Sequence, residues 1–186
     1  MEIKFSPEML TILGYARDEA MRTGCYGIGA DHIVLGLLRH RDNNACRALS
    51  AFGVNPETLK EAIDARVFSD HAVPWHDQAR VLPTRSAAAL ASAAAYEALK
   101  HDQHVILSSH FLLALLRSEG NAAVEFLRRE GLRYDTLYAL MREHRFVLPR
   151  REQEAVLPGI EDLLGPLGEQ LTRLYGDAQA PTNLYS

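Results

Sequence analysis

Two stretches decide the fold: Gly29-Ala30-Asp31-His32-Ile33-Val34-Leu35-Gly36-Leu37-Leu38-Arg39 and, 78 positions later, Leu107-Ser108-Ser109-His110-Phe111-Leu112-Leu113-Ala114-Leu115-Leu116-Arg117. Each is an apolar run with a histidine near its start. The same offset, without a gap, lays Glu19-Ala20 on Glu97-Ala98 and Ile28 on Ile106. It lays Asn43 and Ala45 on Asn121 and Ala123, Leu49 and Gly53 on Leu127 and Gly131, and Thr58-Leu59 on Thr136-Leu137. A gapless register over about 60 residues marks an internal repeat. Repeat one occupies residues 1–67, its core running from Phe5 to Val67, and repeat two occupies residues 83–145.

Each repeat reads as four helices. Ser6-Pro7 is a start signal, because a serine hydroxyl accepts from free first-turn amides and proline is tolerated there. Met9, Ile12, Leu13, Ala16 and Ala20 then recur at helical spacing, and Gly24 ends the helix. A second helix starts near Ala30 or Asp31. A third runs from about Asn44 to Phe52 and stops at Gly53. Asn55-Pro56 opens the fourth. Repeat two copies the plan: Thr84 caps its first helix, Ser108 or Ser109 its second, Gly131 ends its third, and Tyr134-Asp135 leads into its fourth. No segment carries the alternation of a strand. The expected fold is all-α: two tandem four-helix repeats with pseudo-twofold symmetry, plus a C-terminal amphipathic helix.

That last helix is expected from Ile160 to Tyr175, within a tail of residues 146–186 whose end, Gly176–Ser186, reads as disordered. Its leucine face has three possible uses: folding back on the repeats, forming a homodimer seam, or docking on a partner. The linker, residues 68–82, holds Phe68 and Trp75. Trp75 either anchors the linker between the repeats or is an exposed contact, since tryptophan is enriched in interface hot spots.

Bulk properties narrow the function. The net charge of −4 gives no basic face for nucleic acid. No apolar run approaches the ~18–20 residues that span a bilayer, and the first residues have no signal-peptide core. Cys25 and Cys46 form no metal or redox spacing and read as small buried hydrophobes in a cytoplasmic protein. Asp18-Glu19 and Glu161-Asp162 are sequence neighbours that cannot share a site, and read as solvated charge. No nucleophile elbow and no phosphate loop occurs. No catalytic residue, cofactor or metal is expected; His32 and His110, at equal places in the repeats, read as structural hydrogen-bonders.

Phe5-Ser6-Pro7, Glu19-Ala20, the Gly29–Leu38 stretch, Ala48-Leu49 and Gly53-Val54 resemble the N-terminal domain of Clp-type AAA+ unfoldases, of the ClpA and ClpC kind. The resemblance covers about residues 5–145 and occurs twice in register. It implies a non-enzymatic module that docks protein substrates, adaptors or a Clp unfoldase. Because no ATPase motif is present, a stand-alone accessory protein is expected; the alternatives are a regulatory domain excised from a full-length ATPase and, last, a small enzyme of unrelated chemistry. In the ClpC branch the domain is also similar to a phosphoarginine reader, with a capping Thr for the phosphate and a Glu for the guanidinium. That carries over to Ser6 with Asp31 and to Thr84 with Ser109. Asp31 shortens the carboxylate arm, and Ser109 has no charge to offer a guanidinium. The alternative for all four is simple helix capping.

Overall fold

Serine, asparagine and threonine at helix starts set the frame. In the computed structural model, which describes residues 3–148, Ser6 Oγ accepts from the Met9 amide and opens α1 (Pro7–Arg22). Thr84 Oγ1 accepts from the Ala87 amide and opens α5 (Arg85–Lys100). Between them lie α2 (Ala30–Arg39), α3 (Asn44–Phe52) and α4 (Pro56–Val67). After α5 come α6 (Ser108–Leu115), α7 (Ala122–Arg129) and α8 (Tyr134–Glu143). Asn43 and Asn121 cap α3 and α7 at equivalent places, each accepting from the amide three residues on. Asn55 caps α4. The all-α architecture of two four-helix units follows from these signals. The expected helix at Ile160–Tyr175 and the expected disordered end lie outside the described residues.

The second helix of repeat one starts at Ala30, as expected, but that of repeat two is capped differently from expectation. Neither Ser108 nor Ser109 caps α6. The N-cap is Leu107, and its amide is met by His110 Nδ1 at 2.9 Å. The Gly29 amide is met in the same way by His32 Nδ1 at 3.0 Å. The side chain three residues into the helix reaches back to the cap amide, half of a capping box, so no serine is needed there.

Four two-residue strands appear where the sequence shows no alternation, since two residues are too few to display one. They are β1 (Lys4–Phe5), β2 (Gly27–Ile28), β3 (Leu82–Pro83) and β4 (Val105–Ile106). They pair in parallel and across the repeats: Lys4 and Phe5 on Val105 and Ile106, Gly27 and Ile28 on Leu82 and Pro83. The two pairings are images of each other under the 78-residue offset, and so are the bonds that extend them, Ser6 N–H to Ile106 O and Thr84 N–H to Ile28 O, both 3.0 Å. Each repeat thus gives its leading strand to the other, which is the pseudo-twofold made physical. Phe5 travels with its strand and meets Phe111 of the second repeat, ring centroids 6.1 Å apart. Burying such a ring contributes about 1.5–3 kcal/mol.

A single apolar core draws on both repeats, with Met9, Ile12, Leu35, Ile106, Phe111 and Leu137 among its members. α2 lies against α1 at backbone distance: a Cβ on Gly36 would sit 2.6 Å from Ile12 O. Only glycine permits that approach. The linker is tied down by Ser69 N–H to Thr23 O and Val73 N–H to Met21 O, with Val73 and Val81 buried. Its residues Trp75–Arg80 form a 3-10 helix.

Candidate functional site

A groove of about 500 Å³ runs between the repeats. One wall is the start of α2, from Gly29 to His32; the other is α5, presenting Ser86, Ala89 and Ala93; Arg117 to Asn121, ahead of α7, closes one end. Ser86 and Ala89 are exposed, and Leu90 and Ala114 give an apolar floor. The walls come from both repeats because the strand exchange seats the start of α5 over Gly27–Gly29: Thr84 Oγ1 donates to Ile28 O at 3.2 Å and shares a 2.8 Å hydrogen bond with Ser86 Oγ.

Asp31 lies on this groove at 9% exposure. Its two carboxylate oxygens accept from the amides of Ala122 and Ala123, each at 2.9 Å. A carboxylate on the positive end of a helix is favoured by charge and by the unpaired amides there. Asp31 therefore caps α7, a helix of the other repeat.

The strand exchange also crosses the expected pairs. Ser6 does not share a site with Asp31; it is buried beside Ile106 and caps α1. Thr84 does not share a site with Ser109; it stands over Gly27–Gly29, on the Asp31 side. Ser109 is fully buried, and its hydroxyl makes no hydrogen bond. In its place Ser108 accepts from the Ala45 amide and caps α3 across the repeats. Capping thus accounts for Ser6, Asp31 and Thr84 but not for Ser109.

Trp75 is 73% exposed. It does not anchor the linker; the two valines do. Phe68 stands out as well, at 57% exposure.

Two buried carboxylates at the same repeat position escaped the sequence reading. Glu19 is buried rather than solvated: it holds Arg22 at 2.8 Å and faces Arg39 at 4.0 Å. Arg22 also pairs with Asp64 at 2.7 Å, and these carboxylates raise its pKa. Glu97, the equivalent position, is 2% exposed. It accepts from Tyr134 Oη at 2.8 and 3.0 Å and from Lys100 Nζ at 3.3 Å, with Arg117 stacked on the Tyr134 ring. Burial and this carboxylate push the Tyr134 hydroxyl up. The signal that could have found them is their identity at the same repeat position, each followed three residues on by a basic side chain.

The two cysteines are half-buried, their thiols aimed at the carbonyls of Val67 and Leu37. Burial pushes the Cys46 thiol up to about 11. His32 and His110 are held neutral, burial being the main cause for both. His110 is pushed down to about 3, with the neighbouring His101 adding to the effect and the Val147 backbone opposing it.

With that geometry in place, the likeness to known proteins is specific. The pattern of the Clp repeat (R) N-terminal domain family matches residues 4–147. The chain belongs to this family. The chain is 26% identical over 129 residues to the negative regulator of genetic competence ClpC/MecB of Bacillus subtilis, which covers 69% of the chain and 15% of that relative. It is 26% identical over 129 residues to the chaperone protein ClpB of Oceanobacillus iheyensis, covering 69% of the chain and 16% of that protein. Chloroplastic ClpC1 of Oryza sativa is 33% identical over 63 residues, 34% of the chain and 7% of its own length. The chain therefore spans about 15% of the length of the first two relatives, and it is a Clp-system module by homology. Among the described residues no helix is long and apolar enough to cross a membrane.

Proposed function

We propose that this Clp N-domain is a protein-docking module without catalysis of its own, which receives substrates, adaptors or an unfoldase of the Clp system in the cytoplasm. The observation that carries this is the groove between the repeats. It has an apolar floor, exposed small residues on the α5 wall and a rim of hydroxyls and charges, the composition that suits an extended peptide. Trp75 and Phe68 are large apolar side chains left in solvent, and such residues anchor interfaces. With Asp31 engaged by α7, a guanidinium would have to compete with two helix amides. Docking of peptide and protein surfaces is thus favoured over phosphoarginine reading.

The test is a binding comparison. Immobilised wild type should retain a Clp unfoldase, its protease or an unfolded client from lysate of the source organism. Ala89→Trp, which fills the groove from an exposed position, should lose that retention while melting at the wild-type temperature. Equal retention by the variant would remove the groove from the mechanism, and no retention by either form would sink the reading. A second reading, a regulatory domain of a longer Clp ATPase subunit, draws on the small share of each relative that the chain covers. A reading frame that continues into a phosphate-loop motif would establish it.

A further inference from the structure

A second cavity, of about 310 Å³, opens on repeat one alone, between the end of α2, α3 and the start of α4. Leu38, Leu49, Val54 and Pro56 make it apolar, and Arg41 and Arg47 stand on its rim. Both arginines pair with acids at the surface, Arg41 with Glu57 and Arg47 with Asp42. Pairs of this kind are worth about 0–1 kcal/mol, so an incoming carboxylate can replace either partner.

The 78-residue offset supplies a control within the molecule. Arg41 and Arg47 correspond to Glu119 and Glu125, so the same place in repeat two carries the opposite charge. There Arg128, at the position of Ser50, donates to the carbonyls of Leu116 and Ser118 at 3.2 and 3.3 Å.

The chain's course points to an occupant. After α8 it crosses to repeat one, where Asn44 Nδ2 donates to the carbonyls of Phe146 and Leu148 at 2.8 and 3.1 Å. Asn44 is the first residue of α3, and the cavity residues Cys46, Arg47, Leu49 and Ser50 lie on the same helix. At 1.5 Å of rise per residue the cavity is within about 10 Å along the axis. Residues 152–169 beyond that point hold five acids, Glu152, Glu154, Glu161, Asp162 and Glu169, and no lysine or arginine. Val156, Leu157, Ile160, Leu163 and Leu164 are interspersed among them. A stretch of nine residues from Leu148 to Leu157 reaches up to about 30 Å when extended, ample for the distance.

We propose that the acidic, leucine-bearing segment 152–164 of this chain docks in the Arg41–Arg47 cavity of its own repeat one. The apolar side chains fill the cavity and the carboxylates meet the two arginines. Cys46 lines the cavity and serves as the probe. In the full chain, Leu157→Cys should form an intramolecular disulfide with Cys46 under copper–phenanthroline. Its shorter tether alone gives about an eightfold advantage over an Asn183→Cys control, and docking beside Cys46 should raise the ratio to on the order of a hundredfold. Arg41→Glu with Arg47→Glu should slow the Leu157→Cys reaction, and adding Glu161→Lys with Asp162→Lys should restore it. Peptide mapping identifies the bond. A ratio no higher than the tether alone gives, a disulfide-linked dimer in place of the bridged monomer, or indifference to the charge swap would each overturn the proposal.

Discussion

The two repeats are built on one plan and use it differently. Where repeat one has Thr23, Asp31, Gly36, Arg41 and Arg47, repeat two has His101, Ser109, Ala114, Glu119 and Glu125. Thr23 gives the buried His32 Nε2 a hydroxyl partner at 3.1 Å; His101 instead stacks on His110, centroids 6.0 Å apart. Asp31 reaches across to cap a helix of the other repeat, and Ser109 bonds nothing. The two repeats share the elements that make the fold, the strand exchange and the Asn43 and Asn121 caps, and differ both at groove positions and at the buried Thr23 and Gly36.

The sharpest way to break the comparison is at the paired second helices. Gly36→Ala should destabilise by about 3 kcal/mol, because the new methyl meets the α1 backbone and cannot be relieved by a rotamer change. The reverse change at the equivalent place, Ala114→Gly, should cost only about 1 kcal/mol, the helix-propensity difference. Urea unfolding of both variants measures this, and equal losses would mean the two helix pairs pack alike.

Acid should act next. The folded-state pKa of His32 and that of His110 lie below the unfolded value, so the folded protein binds fewer protons and stability is lost as pH falls below about 6.5. For His110 the loss continues toward about 3. The slope approaches ~1.4 kcal/mol per pH unit per histidine, giving about 2 kcal/mol for His110 between pH 7 and 5. The urea midpoint followed against pH should fall through this window in wild type and fall less in His110→Gln. A pH-independent midpoint would mean that both rings take up protons in the folded state as readily as in the unfolded chain.

Asp31→Ala should cost about 1–2 kcal/mol by uncapping α7 beside a groove that water can enter. Ser109→Ala, which removes a hydroxyl with no partner, should stay within about 0.5 kcal/mol. Thermal melts of the pair compare them, and a larger loss at Ser109 would mean that its hydroxyl does find a partner. Smallest of all, Trp75→Ala should leave stability within about 0.5 kcal/mol, and any effect it has should appear in partner binding alone.

The caps of α1 and α5, the helix breaks and the family were legible in the sequence because they rest on local chemistry and on a repeated register. Asn44–Phe52 and Asn55-Pro56 are read from their own residues. The strand exchange was not legible, since pairing Lys4 with Val105 leaves no periodic trace in two residues. That one omission misassigned the partners of Ser6, Thr84, Asp31 and Ser109, all of which are set by contacts across the repeats. Glu19 was misread, and Glu97 passed over, for a related reason: burial of a charge depends on basic and phenolic partners from other helices, which composition cannot place. Trp75 followed neither periodicity nor a cap, and its exposure depends on which linker residues, Val73 and Val81, take the buried positions instead.

The exchanged strands have a consequence for synthesis. Phe5 is made about a hundred residues before its strand partner Ile106. Repeat one cannot pair its leading strand on the ribosome until α5 and β4 of repeat two have followed it, and the loop closure this requires slows the last step of folding. A nascent or nicked first half would wait with its leading strand unpaired and Gly27-Ile28 open. Either edge can be satisfied by the same element of another copy, which is the route to domain-swapped dimers. By the same logic, two fragments divided in the linker carry complementary missing parts and should assemble with each other into the native clasp.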